Sequence, residues 1–133
     1  MATKHDARLL INHIVAAYNS HDVDALVAFY KSDVTYWSAL EGLKTGVDAV
    51  REHIDHLHEI LPDEKMQAQT IVTDGDLVVV EFESTGTNPV GHPYAIKFTE
   101  VFELCDGKVA SIKTYLDPDE VADAMSQRET PSA

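Results

Sequence analysis

Glu100 interrupts an apolar stripe. In the stretch Tyr94 to Cys105, the residues Ile96, Phe98, Phe102 and Leu104 share its strand face, while Lys97, Thr99, Val101 and Glu103 fall on the other. If the apolar face looks inward, desolvation disfavours the charged carboxylate and raises its pKa, leaving an acid that holds a proton near neutral pH. Such a group can donate a hydrogen bond to a substrate oxygen or carry a proton between two atoms. A structural glutamate bonded to a tyrosine hydroxyl or a backbone amide is the other reading of the same pattern. Earlier in the chain Val34, Tyr36 and Ser38 share one strand face, with Thr35 and Trp37 on the other. The Tyr36 phenol suits either an oxyanion or ligand hydroxyl, or a satisfied place in the core. His92, in the turn Gly91-His92-Pro93, is read as an acid or base closing over a pocket mouth, against the alternative of an exposed loop residue.

Other chemistry-bearing types are less well placed. His53, His56 and His58 resemble a metal signature, but on a helical wheel His53 and His58 flank the apolar stripe on opposite sides and His56 points away. The i, i+4 pair of a zinc-protease helix is missing, so no metal is expected. Cys105 has no histidine near it in sequence to activate it as a nucleophile. Asp117, followed by Pro118 and Glu120, reads as a helix cap. There is no glycine-rich phosphate loop, dinucleotide fingerprint, or flavin or haem signal, and no cofactor is expected.

The elements that must position these residues change period part-way. Leu10, Ile14, Ala17 and Tyr18 recur at helical spacing over Ala7 to Asn19. Asp22 then caps a short helix carrying Val23, Leu26, Phe29 and Tyr30, and Val34 to Ala39 reads as a strand. After Gly42 and Gly46 a third helix sets Val47, Val50, Ile54, Leu57 and Leu61 on one face, and Pro62 ends it. Strands follow over Met66 to Thr73, Leu77 to Thr87, Tyr94 to Cys105 and Lys108 to Leu116, with hairpin signals at Asp74-Gly75-Asp76 and Asp106-Gly107. A short last helix begins at Pro118. Helices first and a long sheet afterwards predict an α+β domain over residues 1–125, with a loose tail over 126–133. A curved mixed or antiparallel sheet must wrap the helices to bury their apolar faces, leaving a cone whose wide end is a pocket.

Bulk composition narrows the partners. Ten basic residues stand against 23 acidic ones, a formal charge of −13, and the acids are dispersed as a solvated shell. Such a surface repels a phosphate backbone, so nucleic acid is not an expected partner. One cysteine excludes an internal disulfide framework. No apolar run reaches the length of a membrane span and none resembles a signal peptide, so the expected location is the cytoplasm, with no membrane partner.

Several stretches, in order and spacing, resemble the SnoaL-like family of the nuclear-transport-factor-2-like superfamily, which includes ketosteroid isomerase. They are Ala17 to Leu26, Leu61 to Asp63, Val72 to Val80 with Thr85-Gly86-Thr87, and Phe102 to Val109 running on to Tyr115-Leu116-Asp117. The resemblance covers about residues 8–125 and implies a cone-shaped α+β barrel. Its members include polyketide cyclases, isomerases, dehydratases, epoxide hydrolases and proteins without known activity. By that likeness Glu100 falls where ketosteroid isomerase has an inward, hydrogen-bond-donating aspartic acid. Ser38 falls where that isomerase has its aspartate base, and a serine hydroxyl cannot take a carbon-bound proton unaided at neutral pH. Tyr18 lies one helical turn beyond the oxyanion tyrosine, where Ile14 stands instead, yet still points to the pocket side. Epoxide hydrolysis of the limonene type needs an Asp-Arg-Asp set on the strands, and the arginines here, Arg8, Arg51 and Arg128, lie on expected helices or the tail.

Together these readings predict a small, mostly apolar, oxygenated ligand held in the cone. Catalytic candidates are Glu100, Tyr36 and His92; ligand-contacting candidates are Tyr18, Ser38, Phe82, Phe98, Phe102, Ile112 and Leu116. The expected activity is that of a cofactor-independent isomerase, cyclase or lyase. A binding protein without turnover, or an association module with a filled cone, stands as the alternative. The outer sheet face mixes Val79, Val101 and Tyr115 with Glu81, Lys97 and Lys113, a pattern expected of a homodimer seam.

Overall fold

The computed structural model describes residues 3–128. These form four helices and six strands: α1 (Lys4–Asn19), α2 (Val23–Val27), β1 (Tyr30–Ser38), β2 (Gly42–Thr45), α3 (Val47–Ile60), β3 (Lys65–Asp74), β4 (Leu77–Thr87), β5 (Pro93–Cys105), β6 (Lys108–Tyr115) and α4 (Pro118–Ser126). Ser126 therefore closes a helix rather than opening a tail, and residues 129–133 of the expected tail lie outside the described residues.

Helix α1 begins at Thr3, whose hydroxyl accepts the Asp6 N–H. It buries Ala7, Ile11, Ile14, Ala17 and Tyr18, one stripe at helical spacing, against the sheet. Helix α2 is shorter than its apolar pattern suggests. Phe29 and Tyr30 were expected on it, but the Phe29 carbonyl accepts the Val109 N–H and Tyr30 pairs with Val109, so the sheet captures both. Strand β2, unforeseen in the sequence, is a four-residue edge between Gly42 and Gly46, both at positive φ.

All six strands make one mixed sheet in the order β2-β1-β6-β5-β4-β3. Pairings are antiparallel except for β1 with β6, which run parallel. The Cys105–Lys108 hairpin turns through Asp106 and Gly107, both at positive φ, as a two-residue loop of the primed type requires. Inward residues of β4 and β5 alternate as the period dictates: Val78, Val80, Phe82 and Ser84 on one strand, Tyr94, Ile96 and Phe102 on the other, all buried. Val78, Val80, Phe82 and Phe102 meet α1 and α3 in the main core, and a smaller cluster of Leu61, Tyr94 and Ile96 receives Val121 and Met125 of α4. On the outer face Trp37 and Tyr115 pack ring to ring at 5.3 Å, and Tyr115 and Leu43 are exposed. Among the described residues no helix is long and apolar enough to cross a membrane.

Candidate active site

Sheet and helices do not close completely on each other. They leave a cavity of about 270 Å³, lined by residues of all four helices, by Met66 of β3 and by the inner faces of β1, β4, β5 and β6. Its walls are mostly apolar, with Phe82, Phe98, Ile96, Ile112 and Leu116 among them. Three polar stations break this lining.

Glu100 forms the first. Its partial exposure is to the lumen that it lines. Desolvation pushes its pKa from 4.5 up to about 7; the Thr114 hydroxyl opposes the shift and the charge of Glu64 adds to it. Thr114 Oγ1 lies 2.5 Å from Glu100 Oε2 and 3.3 Å from the Tyr36 hydroxyl. A threonine hydroxyl has one hydrogen, so the direction of this chain depends on the acid. With Glu100 ionised, Thr114 donates to Glu100. With a proton on Oε2, Glu100 donates to Thr114, Thr114 donates to Tyr36, and the Tyr36 phenol keeps its own hydrogen to donate. Burial holds the Tyr36 phenol above its ordinary pKa, and Glu100 reinforces that, so Tyr36 stays a donor.

Glu64 forms the second station, and the sequence reading passed over it. It follows Pro62-Asp63 in the loop before β3, and its side chain is only 6% exposed. Tyr18 donates to Glu64 Oε1, and Ser84 donates to Oε2 at 2.5 Å. The Tyr94 hydroxyl lies 2.9 Å from Ser84 Oγ. Because the Ser84 hydrogen is used on Glu64, Tyr94 is the donor in that contact. Burial raises the Tyr18 phenol well above its ordinary value, with Glu64 adding to the effect, and pushes Tyr94 up to about 12. A signal for Glu64 was present. Met66 and Ala68 are the inward residues of early β3, and stepping back by two from Met66 puts a carboxylate on the inner face.

The third station is the pair His53 and Glu41, with His53 Nδ1 3.2 Å from Glu41 Oε2. His53 projects from α3, its side chain 10% exposed, and its ring packs on Tyr36 at 4.9 Å between centroids. Burial lowers its pKa, while Glu41 pulls the other way.

Of the residues singled out from the sequence, Glu100, Tyr36, Tyr18, Ser38, Phe82, Phe98, Ile112 and Leu116 line the cavity. Phe102 does not; it is buried in the core beyond the lumen. His92 does not reach the lumen either. Asn88 accepts the His92 N–H, and its amide donates to the Ala124 and Gln127 carbonyls, which ties the turn to the end of α4. Ser38 lines the cavity, but its hydroxyl accepts the Glu41 N–H at 3.0 Å and so serves the turn. Asp117 caps α4 by accepting the Asp119 N–H.

A family model described as a SnoaL-like domain matches residues 11–112. The chain belongs to the SnoaL-like family. Solved structures of this SnoaL-like fold agree at low identity. TerC, co-crystallised with polyporic acid, superposes with a TM-score of 0.83 at 19% identity, covering 92% of this chain and 99% of its own. A nuclear-transport-factor-2-like protein of unknown function from Burkholderia pseudomallei K96243 gives 0.83 at 19%, covering 95% and 99%. SalBIII, an epoxide hydrolase/cyclase-like enzyme of pyran ring formation in polyether salinomycin, gives 0.80 at 20%, covering 90% and 97%. No curated protein matches the sequence.

Proposed function

We propose that this SnoaL-like chain binds a small, mostly apolar, oxygenated molecule in its cavity and rearranges it by cofactor-independent acid–base catalysis, as an isomerase, cyclase or lyase. The observation that carries this reading is the Tyr36–Thr114–Glu100 chain, whose terminal acid is poised near pH 7 inside an apolar cavity. A group that holds and releases a proton at working pH, relayed to a lumen-facing phenol, is what proton transfer to a substrate oxygen needs. Glu64 with Tyr18 supplies a second polar anchor, which favours a ligand bearing two oxygens over one with a single polar end. Polyporic acid in TerC and ring formation by SalBIII support oxygenated ligands of this kind for the fold.

Ser38 favours a second reading. Its hydroxyl is committed to the turn, so β1 presents no base, and a receptor without turnover has the same cavity. Screening aromatic polyketides, steroids and terpenoid alcohols by thermal shift, with wild type and Glu100→Gln, separates the two. At about 100 times its dissociation constant a ligand adds roughly 2.7 kcal/mol. A hit weakened in Glu100→Gln and converted by wild type supports the enzyme; a hit indifferent to the substitution and unconverted supports the receptor. Homodimerisation through the outer face around Trp37 and Tyr115 completes the proposal, and a monomeric mass in sedimentation at micromolar concentration would remove it.

A further inference from the structure

We propose that His53 is the base of this cavity, with Glu41 as its positioning residue and Ser38 fixing the turn that carries Glu41. The inference rests on the acid–base reading above and supplies the proton acceptor that β1 lacks. Three contacts build the arrangement. Ser38 Oγ accepts the Glu41 N–H at 3.0 Å, which sets the turn after β1. That turn brings Glu41 Oε2 to 3.2 Å from His53 Nδ1. A carboxylate on Nδ1 fixes the tautomer with its hydrogen there and leaves the lone pair on Nε2. The ring lies against Tyr36 and lines the same lumen, so base and acid relay share one compartment.

The surroundings suit a base that is neutral at work. Burial, Lys44 from β2 and His56 from the same helix disfavour the imidazolium, while Glu41 favours it; the net shift is downward from 6.5. Tyr36, the phenol against the ring, is held above its ordinary value and stays neutral. The chemistry this geometry suits is proton removal from a carbon next to a carbonyl. His53 Nε2 takes the proton, the C–H electron pair moves into the new C=C bond, and the carbonyl π pair moves to oxygen. That oxygen takes the proton held by the Glu100–Thr114–Tyr36 chain. In a substrate with a C=C bond one carbon further on, the far C=C pair takes the His53 proton, the double bond moves next to the carbonyl, the enol O–H pair re-forms the C=O bond, and the enol proton returns to the chain, an isomerisation without a further reactant.

The test uses nitrobenzisoxazole, an apolar compound opened by a single proton abstraction. The base takes the ring C–H proton, the released pair forms a nitrile, and the N–O bond breaks to a coloured phenolate. The expected result is saturable ring opening by wild type, with kcat/KM rising through a pKa below 6.5. His53→Gln should lose about 100-fold of it. Glu41→Gln should lose less, keep KM, and move the profile to lower pH, because the carboxylate that raises the imidazole pKa is gone. Glu41→Asp should recover part of the rate. Nitrogen-resolved NMR of the folded variants and wild type reads the tautomer independently, and hydrogen on Nδ1 is expected.

Four results would overturn the proposal: no saturable opening by wild type, an undiminished rate in folded His53→Gln, hydrogen on Nε2, or a profile rising through about 7 and lost in Glu100→Gln. The last makes Glu100 the base. Ring opening that depends on His53, alongside a ligand screen without conversion, keeps the base and removes the substrate reading. Conversion of a screened ligand that is indifferent to His53 does the reverse.

Discussion

Replacing Glu100 by glutamine changes the charge of the cavity while keeping the shape and the Thr114 contact, because the glutamine carbonyl still accepts that hydroxyl. The size of the effect follows from linkage. Folding lifts the Glu100 pKa from 4.5 to about 7, so between those values the native state holds a proton that the unfolded chain has lost. Below the lower value both states are protonated and the carboxyl is neutral to stability. As pH rises the unfolded state gains by ionising first, and the cost to the fold grows until pH passes the folded value. A shift of this size corresponds to about 3 kcal/mol at full development. Glutamine never ionises and escapes the cost. Calorimetric unfolding should therefore give nearly equal midpoints for the two proteins at about pH 4.5, with Glu100→Gln higher by roughly 10 °C at about pH 8. The wild-type-minus-variant difference isolates Glu100 from the other carboxylates, which titrate in both. Parallel curves from about pH 5 to about pH 8 would refute the reasoning, since they would mean that Glu100 is hydrated as in the unfolded chain.

Other perturbations test the remaining polar contacts. Tyr18→Phe removes a donor to Glu64 and leaves that buried carboxylate on Ser84 alone; urea unfolding should show a loss of about 1–3 kcal/mol. Gly86→Ala adds a Cβ that would lie 2.9 Å from Asp63 Oδ1, 3.2 Å from Glu64 Cα and 3.3 Å from Tyr94 Cε1. The backbone at Glu64 cannot yield cheaply, so a loss of about 1–3 kcal/mol is expected in the same assay, with weaker binding of any cavity ligand. Asn88→Ala frees the β4–β5 turn from the Ala124 and Gln127 carbonyls, and amide exchange should rise in α4 by more than in α1.

What the sequence revealed and what it hid divide by the range of the interactions responsible. Helices α1 and α3 and both hairpins announce themselves because periodicity and Asp-Gly turns act within a few residues. The inward set of β5, Glu100 included, follows from strict alternation. Tyr30 looked helical because its capture depends on β6, about 80 residues away, and the edge strand β2 exists only because β1 lies beside it. Glu64 was hidden by position: a residue beyond a helix-ending proline belongs to no pattern until the next strand's parity is extended backward. His53 showed only as the flank of an apolar stripe. Its significance comes from Glu41 in a turn and Tyr36 on a strand, neither of which a helical wheel contains.

Because β1 pairs with β6, the first strand to leave the ribosome has to wait for the last. Tyr36 and Thr114 are 78 residues apart, and bringing them together closes a long loop before any contact rewards it. The β3–β4–β5 meander can form earlier, from neighbouring turns alone, with Phe82 and Val80 bare until α1 covers them. A nascent chain in that interval presents an apolar sheet face, the species most exposed to misassociation and most in need of a chaperone. Arrival of β6 then fills the gap between β1 and β5, completes the sheet and lays Thr114 between Tyr36 and Glu100 in one movement. The proton relay is assembled when β6 completes the sheet, so a chain that stops short of β6 carries no part-working copy of it.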